Sequence, residues 1–414
     1  MQASESYRQK VLTYIDEIKK KRKQVVIFGA GRGGWYIMKV FEHYGVSINS
    51  FADNDPCKHG TYFNYPVRSP VDISREIPDA HIFLGLFSPN TADVVREQLV
   101  KLKFRHIHYS LDAFLYLYLT IVAGRKCDKE VLAESIRILF ENYAAGPNHY
   151  GYTETNNFVS PFVTSVITQK CSLRCRDCAQ LIPYYNAPVH FSVQSIINDL
   201  RQYAKAFDVV PEISLHGGEP FLHPDIQEIC REAAGIPNIV FISFVTNGTI
   251  MLADETLQEL SACGADVHQS GGYGSLSRKK DELCEAFRRH NIYSDVMFCS
   301  PTEMWNQPPP TKKHARVASA NDALYKRCAS SKTCCQIMDG ELHRCSLSMH
   351  GSHQGLFPKR DNDFVHLHDP DTSDSILVAK MRSFLGRDGG LSVCDYCDPD
   401  GGKLVPPAIQ LART

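Results

Sequence analysis

Residues 170–180 read KCSLRCRDCAQ and place Cys171, Cys175 and Cys178 within eight positions. The apolar run VTSVIT, 163–168, stands just before them, so the cysteines occupy a loop that follows a short buried strand. Zinc takes four closed protein ligands when structural, commonly in paired CxxC units, and three plus water when catalytic. A single CxxxCxxC loop suits neither arrangement well. A 4Fe-4S cluster has four irons, and three thiolates from one tight loop hold three of them and leave the fourth open for chemistry.

Outward from the loop, strand-like and helix-like patterns alternate: helix 193–207, strand 212–217, helix 226–235, strand 238–248, helix 253–264, strand 266–271, helix 279–290 and strand 291–298. The alternation predicts a series of six strand–helix units, a parallel barrel or part of one, over residues 161–310, with chemistry in the loops after the strands. Two strand ends carry notable residues: GGEP (Gly217, Gly218, Glu219, Pro220) and VTNG, with Thr246 and Asn247. Glycines let backbone approach a ligand closely, and a carboxylate such as Glu219 accepts a hydrogen bond from an ammonium. Past Pro301 the chain turns Pro-, Asp-, His- and Cys-rich with little room for an apolar core, so something other than burial is expected to tie residues 311–414 together.

CxxxCxxC after the first strand, in register with GGEP and TNG, resembles the radical S-adenosylmethionine enzymes, whose fold is a partial (β/α)6 TIM-type barrel. The resemblance implies a 4Fe-4S cluster on Cys171, Cys175 and Cys178, S-adenosylmethionine on the open iron, its amino group near GGEP, a 5′-deoxyadenosyl radical, and a flavodoxin- or ferredoxin-type electron donor. One departure stands out: many members have an aromatic residue before the last cysteine, against adenine, and this chain has Asp177. A structural zinc loop is the bland alternative.

Cys328, Gly340, Cys345 and the CDYC pair Cys394 and Cys397 resemble the twitch form of the SPASM extension, which implies one auxiliary 4Fe-4S cluster with four protein ligands. GELHRC reads as the second strand of a hairpin entered at Asp339–Gly340, which would bring distant cysteines together. By ligand count alone zinc fits equally well. Cys334 and Cys335 are adjacent and could replace Cys328, or be spare buried thiols.

At the other end, QVVIF (24–28) precedes GAGRGG and a helical pattern, placing Gly29, Gly31 and Gly34 as GxGxxG with Asp53 closing the next strand. That is a Rossmann-like setting, in which a helix N-terminus favours phosphate. Residues 1–125 read as one Rossmann-like domain, and the stretch from VVIFGAGRGG through FADNDPCKHG to YPVRSP, within roughly the first 120 residues, resembles domains of sugar-modifying enzymes, including nucleotide-sugar acyltransferases and methyltransferases, which implies a nucleotide sugar there, or NAD; a scaffold that holds nothing is the alternative. Residues 126–160 read as a helix and linker.

The 414 residues carry a formal charge of −1, which gives no nucleic-acid or polybasic membrane footprint. The run 113–124, AFLYLYLTIVAG, falls short of the roughly 20 residues that cross a bilayer and predicts a buried helix. Fifteen cysteines without an export signal point to a cytoplasmic chain with metal or thiol chemistry. Candidate catalytic residues are Cys299 at the end of a strand, a hydrogen-atom donor or a small buried residue, and Asp295 and His268 on neighbouring strands, for positioning hydroxyls or moving protons or as satisfied structural groups. Tyr273, in SGGYG, and Trp305 are candidate pocket walls, with core or loop packing as the alternative. The expected function is radical modification of a carbohydrate or nucleotide-linked sugar by dehydrogenation, epimerisation or dehydration. The alternatives are a peptide substrate and a non-catalytic zinc- and nucleotide-binding protein.

Overall fold

The computed structural model describes residues 3–145, 151–153, 155–297, 304–306, 313–397 and 403–412. Two compact units divide the chain: Met1–His149 with Ala262–Gly264, and Tyr150–Ser261 with Ala265–Thr414.

In the first unit, α1 (Ala3–Lys21) leads into β1 (Val25–Phe28), α2 (Arg32–His43), β2 (Ser50–Ala52), β3 (Gly60–Tyr62), β4 (Tyr65–Arg68), α3 (Pro70–Glu76), β5 (His81–Leu84), α4 (Pro89–Lys101), β6 (His106–His108), α5 (Leu111–Leu117) and α6 (Lys129–Ala145). The strands lie in the order β3-β4-β2-β1-β5-β6, parallel except for the β3–β4 hairpin. All four β1 side chains are buried, as a central strand covered on both faces requires. Ser69 and Ser88 cap α3 and α4, each oxygen accepting a backbone N–H, and a proline follows each cap. The apolar run becomes α5 and a π-helical turn, Tyr118–Val122, with Leu111 and Ala113–Thr120 buried. The expected linker helix, α6, instead packs on α1, α4 and α5 through Leu132, Ile136 and Leu139, a stripe at helical spacing.

The second unit starts with the short pair β7 (Gly151–Tyr152) and β8 (Phe158–Val159). It continues through β9 (Phe162–Thr168), α7 (Val193–Ala204), β10 (Val210–Gly217), α8 (Ile226–Ala234), β11 (Ile239–Thr246), α9 (Asp254–Ala262), β12 (Asp266–Ser270), α10 (Lys280–Arg289) and β13 (Ser294–Met297). After β14 (Trp305–Asn306) come α11 (Ala318–Arg327), α12 (Ala329–Thr333), β15 (Cys334–Met338), β16 (Glu341–His343), β17 (Phe364–His366), α13 (Asp374–Leu385) and β18 (Leu404–Val405). One eight-stranded sheet runs β13-β12-β11-β10-β9-β15-β16-β17, and β14 pairs with β18 separately. This is the mixed α/β architecture expected of a partial barrel with a Cys-rich extension.

Residues 162–297 supply five parallel strands, not six, among the described residues. The position on the other side of β9 is taken by β15, parallel to it with Cys335 opposite Val163. The Cys-rich segment therefore extends the barrel sheet. The turn between β15 and β16 has Asp339 at φ 51° and Gly340 at φ 77°. Two consecutive positive φ values match a two-residue type I′ connection, for which Asp-Gly is a favoured pair.

Candidate active site

The cysteine loop follows β9 and is seated against the end of β10. Gly218 and Glu219 donate their backbone N–H groups to the carbonyls of Thr168 and Lys170 at 2.8 and 2.9 Å. This approach leaves no room for side chains: a Cβ on Gly217 would lie 2.1 Å from the Thr168 oxygen, and one on Gly218 would lie 2.1 Å from the Lys170 oxygen. Gly217 also has φ +138°. The two glycines thus lock the two loops together, and Pro220 starts a short 3-10 turn behind them.

Glu219 is fully buried and joins GGEP to TNG. Its Oε1 accepts Thr246 Oγ1–H at 2.8 Å and Phe221 N–H at 3.3 Å, and its Oε2 accepts Asn247 N–H at 2.8 Å. Burial pushes its carboxyl up to about 7 even against these donors. Asn247 turns its amide back to the cysteine loop, donating to Ser172 Oγ at 3.1 Å and toward Cys171 Sγ at 3.6 Å.

The three thiols lie close enough to act electrostatically on one another, and Cys171, Cys175 and Cys178 form no disulfide. Burial pushes Cys171 up to about 12 and Cys175 to about 11, and raises Cys178 as well. Metal loading must therefore expel thiol protons, which a multiply charged cluster does by its own field. Leu173 N–H and Gln410 Nε2 point at Cys171 and Cys175 sulfur at 3.5 and 3.2 Å. Clustered thiols ringed by N–H donors are the donor set a 4Fe-4S cluster needs. Beside them opens a cleft of ≈ 680 Å³ lined by Cys171, Ser172, Arg174, Thr249, Arg278 and Gln410, among others. Tyr273 stands near all three thiols and packs edge-on against Trp305, ring centroids 5.5 Å apart. Asp177 is buried and ion-paired with Arg176 at 2.8 Å, so it presents no aromatic face.

Cys328, Cys345, Cys394 and Cys397 line a single cavity whose other walls include Leu324, Tyr325 and Arg344. Burial raises the Cys345 and Cys394 thiols, as for the first set. Cys334 and Cys335 do not line this cavity: Cys334 Sγ faces Ser330 O at 3.6 Å, and the fully buried Cys335 meets Tyr203 OH at 3.3 Å.

His268 and Asp295 sit side by side in register on β12 and β13. His268 Nδ1 bonds Asp295 Oδ1 at 2.7 Å, while Nε2 lies 3.8 Å from Glu212 Oε1, which accepts Ser243 Oγ–H at 2.6 Å. Burial alone would lower His268, but the two carboxylates outweigh it and raise the imidazole to about 9. At neutral pH it is an imidazolium, which donates hydrogen bonds and cannot act as a base. Cys299 lies outside the described residues.

In the first unit, Gly29, at φ +103°, and Gly34 are required by packing, since a Cβ on Gly34 would lie 2.0 Å from Gly29 O. A Cβ on Gly31 would meet nothing within 4 Å. Asp53 spends its carboxylate on the loop itself, accepting Ala30 N–H at 2.9 Å and Asp55 N–H at 3.0 Å, with Lys58 at 3.3 Å.

Sequence reading did not pick out Glu212, Ser172, Arg174 or Gln410. Glu212 had a usable signal, an acidic residue alternating into a buried parallel strand. Gln410 had none, lying 235 residues from the sulfur it touches.

Residues 165–292 match the model of the Radical SAM superfamily, and residues 1–106 match that of the C-methyltransferase C-terminal domain. A GTP 3′,8-cyclase of Chlorobaculum tepidum is 31% identical over 106 residues, 25% of this chain and 30% of that protein. Molybdenum cofactor biosynthesis protein 1 of Mus musculus is 28% identical over 116 residues, 28% of this chain and 18% of that protein. The chain thus spans less than a third of these relatives. Among solved structures, BtrN in complex with AdoMet and 2-DOIA aligns at TM-score 0.37 and 14% identity, over 61% of this chain and 98% of that one. Streptococcus suis SuiB bound to precursor peptide SuiA aligns at 0.27 and 12%, over 65% and 76%. No described helix is long and apolar enough to cross a membrane. The cysteine loop and the glycine lock thus lie within the segment that matches the Radical SAM superfamily, a domain built for a 4Fe-4S cluster and S-adenosylmethionine.

Proposed function

We propose that this enzyme applies a 5′-deoxyadenosyl radical to a carbohydrate, most simply a nucleotide-linked sugar, by dehydrogenation, epimerisation or dehydration. The observation that carries this reading is the array of Glu212, Ser243, His268 and Asp295 across four neighbouring strands, joined by two hydrogen bonds and the Glu212–His268 ion pair. A polyol needs several convergent acceptors and a fixed donor, and two carboxylates around an imidazolium supply both. The unencumbered Gly31 at the start of α2, in a glycine loop that follows β1, favours a phosphate-bearing substrate at the first unit.

In this reading Cys171, Cys175 and Cys178 hold the cluster whose open iron takes S-adenosylmethionine, and Gly217–Pro220 with Thr246 and Asn247 shape its cradle. Cys328, Cys345, Cys394 and Cys397 hold the auxiliary 4Fe-4S cluster, a candidate acceptor for the electron that a dehydrogenation releases. Reducing equivalents come from a flavodoxin- or ferredoxin-type donor. His268 donates to, and Asp295 accepts from, substrate hydroxyls. Cys299 is assigned as the hydrogen donor of an epimerisation.

The test is a panel of nucleotide sugars added to anaerobically reconstituted, reduced enzyme with S-adenosylmethionine. A substrate raises 5′-deoxyadenosine formation and transfers deuterium from its ring carbon into that product. If no sugar does so while a peptide does, the carbohydrate reading falls. Unchanged solvent hydrogen incorporation after Cys299→Ala would remove the donor role.

A further inference from the structure

Beside the auxiliary cysteine set, three side chains of the second unit converge on one point. Glu341 and His343, on β16, and His353, in the helical turn after Cys345, bring one ligand atom each within 4.8 Å of the others. Both imidazole Nε2 atoms lie 3.1 Å from Glu341 Oε2. Ligand atoms at the 2.0–2.1 Å bond length of tetrahedral zinc are separated by about 3.3 Å, close to the two histidine–carboxylate sides of this triangle.

The hydrogen-bond network orients the set. His343 Nδ1 lies 3.0 Å from Ser348 Oγ, which is itself 3.4 Å from Asp363 O, a carbonyl that can take the hydroxyl proton. In the tautomer that gives its Nδ1 proton to Ser348 Oγ, the Nε2 lone pair of a neutral ring is directed at a carboxylate oxygen, two acceptors face to face. A cation between them resolves this, and a histidine whose other nitrogen donates to a fixed partner is the usual form of a metal ligand. Lys359 takes the other oxygen, Oε1, from a half-solvated position, which leaves Oε2 to the imidazoles. His366 Nδ1, 3.8 Å from Oε1, or a water is available as a fourth ligand.

We propose that Glu341, His343 and His353 form a mononuclear binding site for a divalent transition-metal ion of zinc type. The site brackets Cys345, with two ligands before it in sequence and one after, so an ion there would hold one wall of the auxiliary-cluster cavity.

The experiment uses holoenzyme with both clusters assembled, so that the cysteines are occupied. It is exposed to zinc chloride, desalted, and read by metal analysis and zinc-edge X-ray absorption. The expected result is one zinc per chain in a shell of nitrogen and oxygen only. His353→Gln, at a partly exposed position, should lower zinc occupancy at least tenfold while iron content and circular dichroism hold. No retained zinc, equal zinc in the variant, or a sulfur shell near 2.3 Å in the wild type would each overturn the site.

Discussion

A single methyl group separates the glycines of this chain into two kinds. At Gly218 it would collide with a backbone carbonyl, which cannot swing aside, whereas at Gly31 it would meet open space. Gly218→Ala is therefore expected to cost about 1–3 kcal/mol in denaturant unfolding, and Gly31→Ala less than about 0.5 kcal/mol. If Gly31 lies against a phosphate, the same harmless substitution weakens nucleotide-sugar binding in calorimetry. Glu219 carries a pH signature. Its carboxyl is raised from 4.5 to about 7 by burial, so the stability it lends is complete below about pH 4.5 and is lost as pH rises through 7. In the cluster-free protein this amounts to a loss on the order of 3 kcal/mol, which should appear in wild-type melts between pH 5 and 8 and be missing from Glu219→Gln. Sequence reading placed Glu219 beside an ammonium ligand. What it left out is that the carboxylate first ties GGEP to TNG, a contact between residues 27 and 28 positions apart that no local pattern encodes.

Among the elements, the β15–β16 hairpin has the most to lose from one substitution. Gly340 is left-handed, its N–H donates to Asp199 Oδ2 at 3.0 Å, and it sets the register that carries β16 toward Cys345. Gly340→Val imposes a left-handed penalty of about 1–2 kcal/mol. It should drop iron from about eight to about four per chain, with the signal of the S-adenosylmethionine-binding cluster intact in electron paramagnetic resonance. The hairpin was legible because Asp-Gly between apolar runs is a strong local signal. That β15 would lie beside β9 was not, since parallel pairing between distant segments leaves no mark on either. The same limit explains α6: its apolar stripe predicts a buried face but does not name the partner, and the polar stretch after it read as a linker.

At the scale of the second unit, the first cysteine loop depends on residues far along the chain. Arg176 N–H donates to Ile409 O at 2.7 Å, Leu411 N–H to Arg174 O at 2.8 Å, and Arg174 N–H to Gln410 Oε1 at 2.8 Å, so residues 409–411 lie on the loop as a short antiparallel strap. Outer-shell hydrogen bonds of this kind typically change metal-site affinity 10–100-fold. Gln410→Ala should shed its first cluster to a chelator at least tenfold faster than wild type, while the auxiliary cluster decays at the unchanged rate, both followed by paramagnetic resonance. The strap also has a consequence in time. Gln410 follows Cys175 by 235 residues, and at about 5–20 residues per second of synthesis the three thiols spend roughly 10–50 s outside the ribosome without their cover. The strap can close on that loop only once residue 411 has been made, and a chain cut between residues 397 and 409 keeps all seven cysteines of the two sets yet lacks the strap.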